Sequence, residues 1–245
     1  MSDSVLKAFP KERIILPKAY QDIYNLHYQR NREGKTKATS LSMQLEQWLH
    51  KQVAKDVQNI GKDTLEIGAG TFNQLEYEPK VGNYDVVEPF TELFKNSPNK
   101  SRVRNIYKDI LEVDAKKKYP RITSVATFEH ISDLPVVVAK AALLLEKGGE
   151  LRTSIPNEGT IMWKLGSMIT GFEFKKMYGL DYSVLMQHEH INTAREIESV
   201  LKYFFRETKL KYFGLNKYLA FYVFIENKEP DVERAKAYLK SRNIE

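Results

Sequence analysis

Leu65-Glu66-Ile67-Gly68-Ala69-Gly70-Thr71 ends an apolar run on two glycines, and Val86-Val87-Glu88 ends the next one on a carboxylate eighteen residues after Gly70. Gly68 and Gly70 lack a Cβ, so the backbone there can take positive φ and lie against a ligand. Glu88, at a strand tip, is placed to accept hydrogen bonds from a ribose diol. Strand, tight turn, helix and acid-tipped strand make a nucleoside-binding half-site. Proton transfer beside such a site falls to histidine. The chain has five, at 27, 50, 130, 188 and 190. His130 follows the fourth strand, at the end where a parallel sheet opens its ligand-binding face. His188-Glu189-His190 precedes a well-marked helix. His130 and His190 are therefore the candidate bases, with a plain hydrogen-bonded loop histidine as the alternative for His130. His50 reads as a surface residue, and His27 is undecided. No metal centre is expected: two histidines two apart reach one ion only from a strand, and further ligands are not evident.

The elements that must hold these groups read as follows. Residues 1–58 form a helical N-terminal extension. Ala19, Ile23, Leu26 and Arg30 recur at helical spacing behind Pro17, and Leu41, Leu45, Trp48, Leu49, Val53 and Val57 form one stripe behind a cap at Thr39 or Ser40. The charged stretch 31–37 reads as a mobile loop. From 62 onward strands are expected near 63–67, 84–88, 103–107, 121–127 and 149–155. Helices are expected near 72–77, 90–97 and 133–146, the last capped by Asp133 and ended by Gly148-Gly149. The core is assigned to 59–156 and 193–228. Residues 157–192, with large apolar side chains among four glycines, read as a cap or lid insertion. Thr193 and Glu196 make a capping box for a helix to about Phe204. Strands near 207–213 and 218–226 flank a hairpin break at 214–217, and 229–245 is a C-terminal helix or tail. The fold class is α/β: a Rossmann-like seven-stranded sheet, mostly parallel, closing on an antiparallel C-terminal hairpin.

Composition narrows the setting. The chain has 245 residues, no cysteine and a net charge of +6. That excludes disulfides, thiolate zinc sites and a cysteine nucleophile, and a cytoplasmic location is the expectation. No signal peptide is read at the start and no membrane-spanning run anywhere. The positive surplus lies in 1–58 and 200–245, each with ten Lys/Arg against six Asp/Glu. It suits an anionic small molecule or glycoconjugate, or a membrane surface, and equally suits plain solubility. Nucleic acid is not expected, since no dense basic stripe carries aromatics. Trp163 to Phe174 reads as a buried lid helix, with peripheral membrane contact as the alternative. Oligomeric state is left open.

Two nucleoside chemistries fit the Gly68/Glu88 pair. A dinucleotide needs a third glycine three residues past the second, and that position is Asn73. S-adenosylmethionine has no phosphate and needs only the glycine loop. The chain resembles the class I S-adenosylmethionine-dependent methyltransferases, and within them the bacterial branch associated with surface-polysaccharide and small-molecule methylation. The resemblance rests on Leu65–Gly70, Val87-Glu88-Pro89, Lys108-Asp109-Ile110, Thr127-Phe128-Glu129-His130 and Leu144–Leu151, in that order, and on Glu189–Thr193. It implies that Glu66, Gly68, Ala69 and Gly70 line the methionine moiety and that Glu88, with Pro89 behind it, holds the ribose. It implies that Asp109 meets the adenine amino group, with Ile110 and Phe90 on the ring, and that Phe128 and Glu129 sit beside the sulfonium. Read as residues alone, Asp109 is also a helix N-cap, Phe128 is as well placed for core as for ligand wall, and Phe90 reads as core. Such families often carry a third glycine where this chain has Phe72. The implied activity is methyl transfer from S-adenosylmethionine to a sugar or glycoconjugate hydroxyl with a histidine base. Methylation of a small amine, nucleic-acid modification and a non-catalytic nucleoside-sensing regulator are the alternatives.

Overall fold

In the computed structural model, residues 4–24, 40–56 and 61–244 are described. Seven strands form one sheet in the order β3-β2-β1-β4-β5-β7-β6. They are β1 (Thr64–Ile67), β2 (Tyr84–Val87), β3 (Asn105–Tyr107), β4 (Tyr119–Val125), β5 (Leu145–Pro156), β6 (Phe205–Gly214) and β7 (Ala220–Pro230). β1 to β5 are parallel neighbours, and β7 runs antiparallel to both β5 and β6. Every residue of β1 and β2 is buried, as expected for strands covered on both faces. The sequence order reverses direction between β1 and β4, and this is where ligands bind in open α/β sheets, at the carboxyl ends of the strands.

Helices cover the two faces. On one, α2 (Leu134–Leu144), α5 (Ala194–Phe204) and α6 (Val232–Ser241) bury the main apolar cluster against the sheet. On the other, α1 (Ser40–Val53) lays Leu49 and Val53 against Val125 and Phe224. α3 (Ile161–Tyr178) and α4 (Tyr182–Glu189) fill the segment between β5 and α5. α5 opens with the expected capping box: Thr193 accepts from the Glu196 backbone N–H, and the Glu196 carboxylate accepts from the Thr193 N–H. Residues 18–24 are helical behind Pro17. Leu26, Arg30, Val57, His27 and the 31–37 stretch lie outside the described residues. No described helix is long and apolar enough to cross a membrane.

Several expectations need correcting. The helices at 72–77 and 90–97 are only short 3-10 turns, Asn73–Glu76 and Thr91–Leu93. Each segment is pinched between a loop and a proline (Pro79, or Pro89 and Pro98), too short for a costly helix nucleus to be repaid by propagation. α2 ends at Leu144, and Gly148-Gly149 lies inside β5, where Gly148 takes φ +81°. Asp133 does not cap α2; its carboxylate accepts from Arg242 at 2.7 Å. The 163–174 helix is not wholly buried: Leu165, Met168 and Phe172, at helical spacing, stay exposed.

Candidate active site

A cavity of about 960 Å³ opens at the carboxyl ends of β1, β2 and β4. It brings together most of the residues singled out from the sequence: Glu66, Gly68, Ala69, Gly70, Glu88, Pro89, Phe90, Asp109, Ile110, His130 and His190. Neither Phe128 nor Glu129, both expected beside the sulfonium, is on its wall. The Phe128 ring is fully buried in the main core, Glu129 lies buried behind the histidines, and the wall beside Gly68 is Thr127 instead. Phe90 is the reverse case, 63% exposed rather than core, so its ring is free to lie on a planar ligand.

The end of the cavity at the glycine turn is built by backbone geometry. Gly68 and Gly70 have φ of +73° and +51°. A Cβ on Gly68 would stand 2.1 Å from the Thr127 side chain, so no other residue fits there. Glu88 is clamped by the turn it serves: one carboxylate oxygen accepts from the Gly70 N–H at 2.7 Å, the other from the Phe90 N–H at 3.0 Å. Each oxygen keeps a lone pair for a ligand hydroxyl. Asp109 lines the cavity and also caps the turn that follows, its carboxylate accepting from the Leu111 N–H at 2.8 Å. Glu66 is buried and accepts from the Tyr84 hydroxyl at 2.9 Å; burial pushes its carboxyl up to about 8.

Phe72, where a third glycine is often found, takes the glycine conformation itself (φ +68°, ψ +31°). Its ring turns away from the cavity and stacks on Phe94 at 4.7 Å, in a cluster with Leu75, Tyr84 and Val86. Burial of a large aromatic outweighs a left-handed backbone that costs about 1–2 kcal/mol.

The far end of the cavity carries the histidines. The His130 and His190 rings meet edge to face with centroids 4.8 Å apart. Nδ1–H of His130 donates to the Glu189 carbonyl at 2.8 Å. His190 directs its Nδ1 at the Glu158 carboxylate and stacks on Trp163. Each bond fixes a tautomer and leaves Nε2 open. Burial, reinforced by His190, holds His130 below the usual imidazole range. Burial opposes the charge on His190 as well, but Glu158 and the neighbouring carboxylates outweigh it and raise the ring. Glu129 lies under both, only 2% exposed, its carboxyl pushed up to about 7 by burial. One of its oxygens has no hydrogen-bond partner. Its backbone carbonyl accepts from the Ile191 and Asn192 N–H groups, which ties the β4 end to the start of α5. From the N-terminal segment, Arg13 donates to the carbonyls of His130 and His188, and Lys11 pairs with Glu196.

Sequence reasoning missed Glu158, which sits 32 residues from the histidine it orients and carries no local signature. It also misjudged His50. That ring is buried, bonded to Gln74 at 2.8 Å and stacked on Tyr77, and it lines the cavity floor. The stripe on α1 predicts the buried face, and His50 adjoins Leu49 on it.

No protein-family model matches the chain, and no curated protein sequence matches it. Solved structures do. The plantazolicin methyltransferase BpumL, in complex with S-adenosylhomocysteine, superposes with a TM-score of 0.57 at 13% identity, covering 93% of this chain and 96% of that one. The N-methyltransferase NodS from Bradyrhizobium japonicum, also in complex with S-adenosylhomocysteine, gives 0.56 at 11% identity, covering 88% and 100%. An S-adenosylmethionine-dependent methyltransferase from Clostridium acetobutylicum gives 0.53 at 16% identity, covering 85% and 99%. At such identities the shared property is the fold. It is the Rossmann-like fold of the class I methyltransferases, with the parallel sheet and the antiparallel C-terminal hairpin that the sequence leads one to expect.

Proposed function

We propose that the chain is an S-adenosylmethionine-dependent methyltransferase that O-methylates a small molecule, a sugar or a glycoconjugate. One observation carries this reading. A single cavity joins a glycine turn with a clamped carboxylate at one end to two histidines with open Nε2 atoms at the other. The turn leads into a four-residue 3-10 turn and not an α-helix. It thus offers no helix N-terminus to a pyrophosphate, which favours a nucleoside without phosphates over a dinucleotide.

In this reading Glu88 takes the ribose hydroxyls, Asp109 the adenine amino group, and Phe90 and Ile110 the ring faces. Glu66, Gly68, Ala69 and Gly70 flank the methionine part, with Pro89 shaping the turn and Glu129 beyond it. The cofactor supplies an electrophilic methyl group. The protein aligns the acceptor oxygen with it, excludes water, and takes the acceptor proton onto Nε2 of His190, which Glu158 orients; His130 is the neighbour that shapes the approach. Alignment contributes several kcal/mol and a placed base about 10² to 10⁴ in rate. α3 and α4 act as the cap over the acceptor end, and the exposed Leu165, Met168 and Phe172 stripe gives a greasy or membrane-borne acceptor somewhere to rest. Polysaccharide biosynthesis in the cytoplasm is the setting this reading favours.

A second reading, N-methylation of a small amine, draws on Glu129: a buried carboxylate with an unpartnered oxygen would pair with an ammonium group. NodS is an N-methyltransferase of the same fold.

Calorimetric titration with S-adenosylhomocysteine and with NAD tests the cofactor, and a screen of nucleotide sugars for labelled methyl uptake tests the acceptor. Binding of NAD in preference to S-adenosylhomocysteine would end the methyltransferase reading. His190→Asn should lower turnover by about 10² to 10⁴ on a hydroxyl acceptor and leave a pre-deprotonated amine acceptor nearly unaffected.

A further inference from the structure

We propose that Glu129, His130 and His190 form a binding site for one divalent first-row transition-metal ion of the zinc, cobalt or iron(II) type. It rests on the cavity of the function proposed above and reassigns His190 there from proton acceptor to ligand.

Three observations carry it. First, one ligating atom from each of the three side chains lies within 4.8 Å of the other two. Bonds of about 2.0–2.2 Å to a central ion place neighbouring ligands about 3–4 Å apart, so the trio needs to close by only about 1 Å. Second, each imidazole is held through its Nδ1, His130 by the Glu189 carbonyl and His190 by the Glu158 carboxylate. A metal-bound histidine almost always donates its other ring N–H to a carbonyl or carboxylate, and here both do so before any ion arrives. Third, Glu129 is buried with one carboxylate oxygen, Oε2, unpartnered, while the other, Oε1, lies 3.9 Å from His130 Nε2. A cation between the rings would satisfy the group that the protein alone leaves short.

Two imidazoles and one carboxylate suit zinc and iron(II) better than magnesium or calcium, which prefer all-oxygen sets. Three protein ligands leave a position open towards the cavity that His130 and His190 line. That is the arrangement of catalytic rather than structural sites. The sequence signal was misleading because the eye goes to His188 and His190. His188 is committed elsewhere, its Nδ1–H donating to the Ile14 carbonyl at 2.7 Å. The third ligand comes from the end of β4, 61 residues before His190. An ion here would occupy both Nε2 lone pairs. The acceptor would then bind the ion through its oxygen, and His190 would no longer be the base.

The test uses the full chain, freed of metal by chelator and dialysis. Titration with Co(II) chloride should give one equivalent bound and visible absorption bands typical of a low-symmetry site, and Zn(II) should displace it. Glu129→Gln and His190→Asn should abolish the bands. Glu158→Gln, which touches only the outer bond, should weaken binding by about 10- to 100-fold. His188→Ala should bind as the parent does. The absence of any stoichiometric Co(II) or Zn(II) binding to the unaltered protein at millimolar concentration overturns the site. So does binding that survives in Glu129→Gln and His190→Asn. Titration of the same samples with S-adenosylhomocysteine keeps the two readings apart: nucleoside binding without metal leaves the methyltransferase intact and removes the ion. Metal binding without nucleoside does the opposite.

Discussion

Two buried polar clusters sit at opposite ends of β4, and they are built on opposite terms. Under α1, the guanidinium of Arg121 is fully buried yet spends its donors on Asp56, Glu78, Thr64 and the Val53 carbonyl. Arg152 beside it engages Asp56, Glu226 and the carbonyls of Gln52 and Val53. Together they tie the end of α1 to β4 and β5, and each guanidinium has a carboxylate against it. At the other end, Glu129, His130 and His190 gather two rings and a carboxylate with ligating atoms within 4.8 Å of one another and one carboxylate oxygen unpartnered. A saturated cluster fixes the scaffold. An unsaturated one, held in place by bonds from outside itself, is what a site needs.

That contrast is easiest to break at its saturated side. Arg121→Met takes away the cation paired with buried Glu78 and one of those on Asp56, and should cost about 3–5 kcal/mol, read as a lower midpoint in denaturant. An unchanged midpoint would mean the cluster is ornamental. Next comes the nucleoside carboxylate. Glu88→Gln removes the charge that draws the Gly70 and Phe90 N–H groups together, and S-adenosylhomocysteine affinity should fall about 10- to 100-fold, in line with 1.5–3 kcal/mol per charged hydrogen bond. Calorimetry reads it directly. On the unsaturated side the sign should reverse. Glu129→Gln removes an under-partnered buried carboxylate and should leave stability within about 1 kcal/mol of the parent, or raise it, as for many active-site residues; a loss as large as that of Arg121→Met would erase the distinction.

The remaining effect is a slope rather than a single shift. The Glu66 carboxyl sits at about 8 in the folded chain, against about 4.3 when exposed. Between those values the native state holds a proton that the unfolded state has lost, so this group makes stability fall as pH rises from about 4.5 to about 8, and no further above it. Glu66→Gln should flatten that part of the pH–stability curve. Thermal melting across the range tests it, and an unaltered slope would show that Glu66 is ionised throughout.

Much of this architecture is legible in the chain. Short, largely apolar segments between turn signals mark β1, β2 and β4, because parallel strands covered on both faces bury nearly every side chain, and the α5 capping box announces itself through Thr193 and Glu196. The glycine turn and Glu88 are legible because backbone shape demands particular residues at fixed spacing. The missing helices after β1 and β2 are not, since propensity sees the residues and not the prolines' hold on so short a span. Nor is Phe72, whose ring serves the core while its backbone imitates glycine. Glu158 escapes for another reason: its partner lies 32 residues away in sequence, and only the folded chain makes them neighbours. His130 and His190 were separately suspect, and what the sequence does not disclose is that their rings touch.

The N-terminal segment deserves one consequence of its own. Lys11 and Arg13 reach partners at Ile191, Glu196 and His188, 175 to 185 residues later in the chain. Arg13 also holds the His130 carbonyl, so one short segment fastens both loops that carry the paired histidines. Replacing Lys11 and Arg13 together would loosen that end of the cleft while leaving the glycine turn as it is.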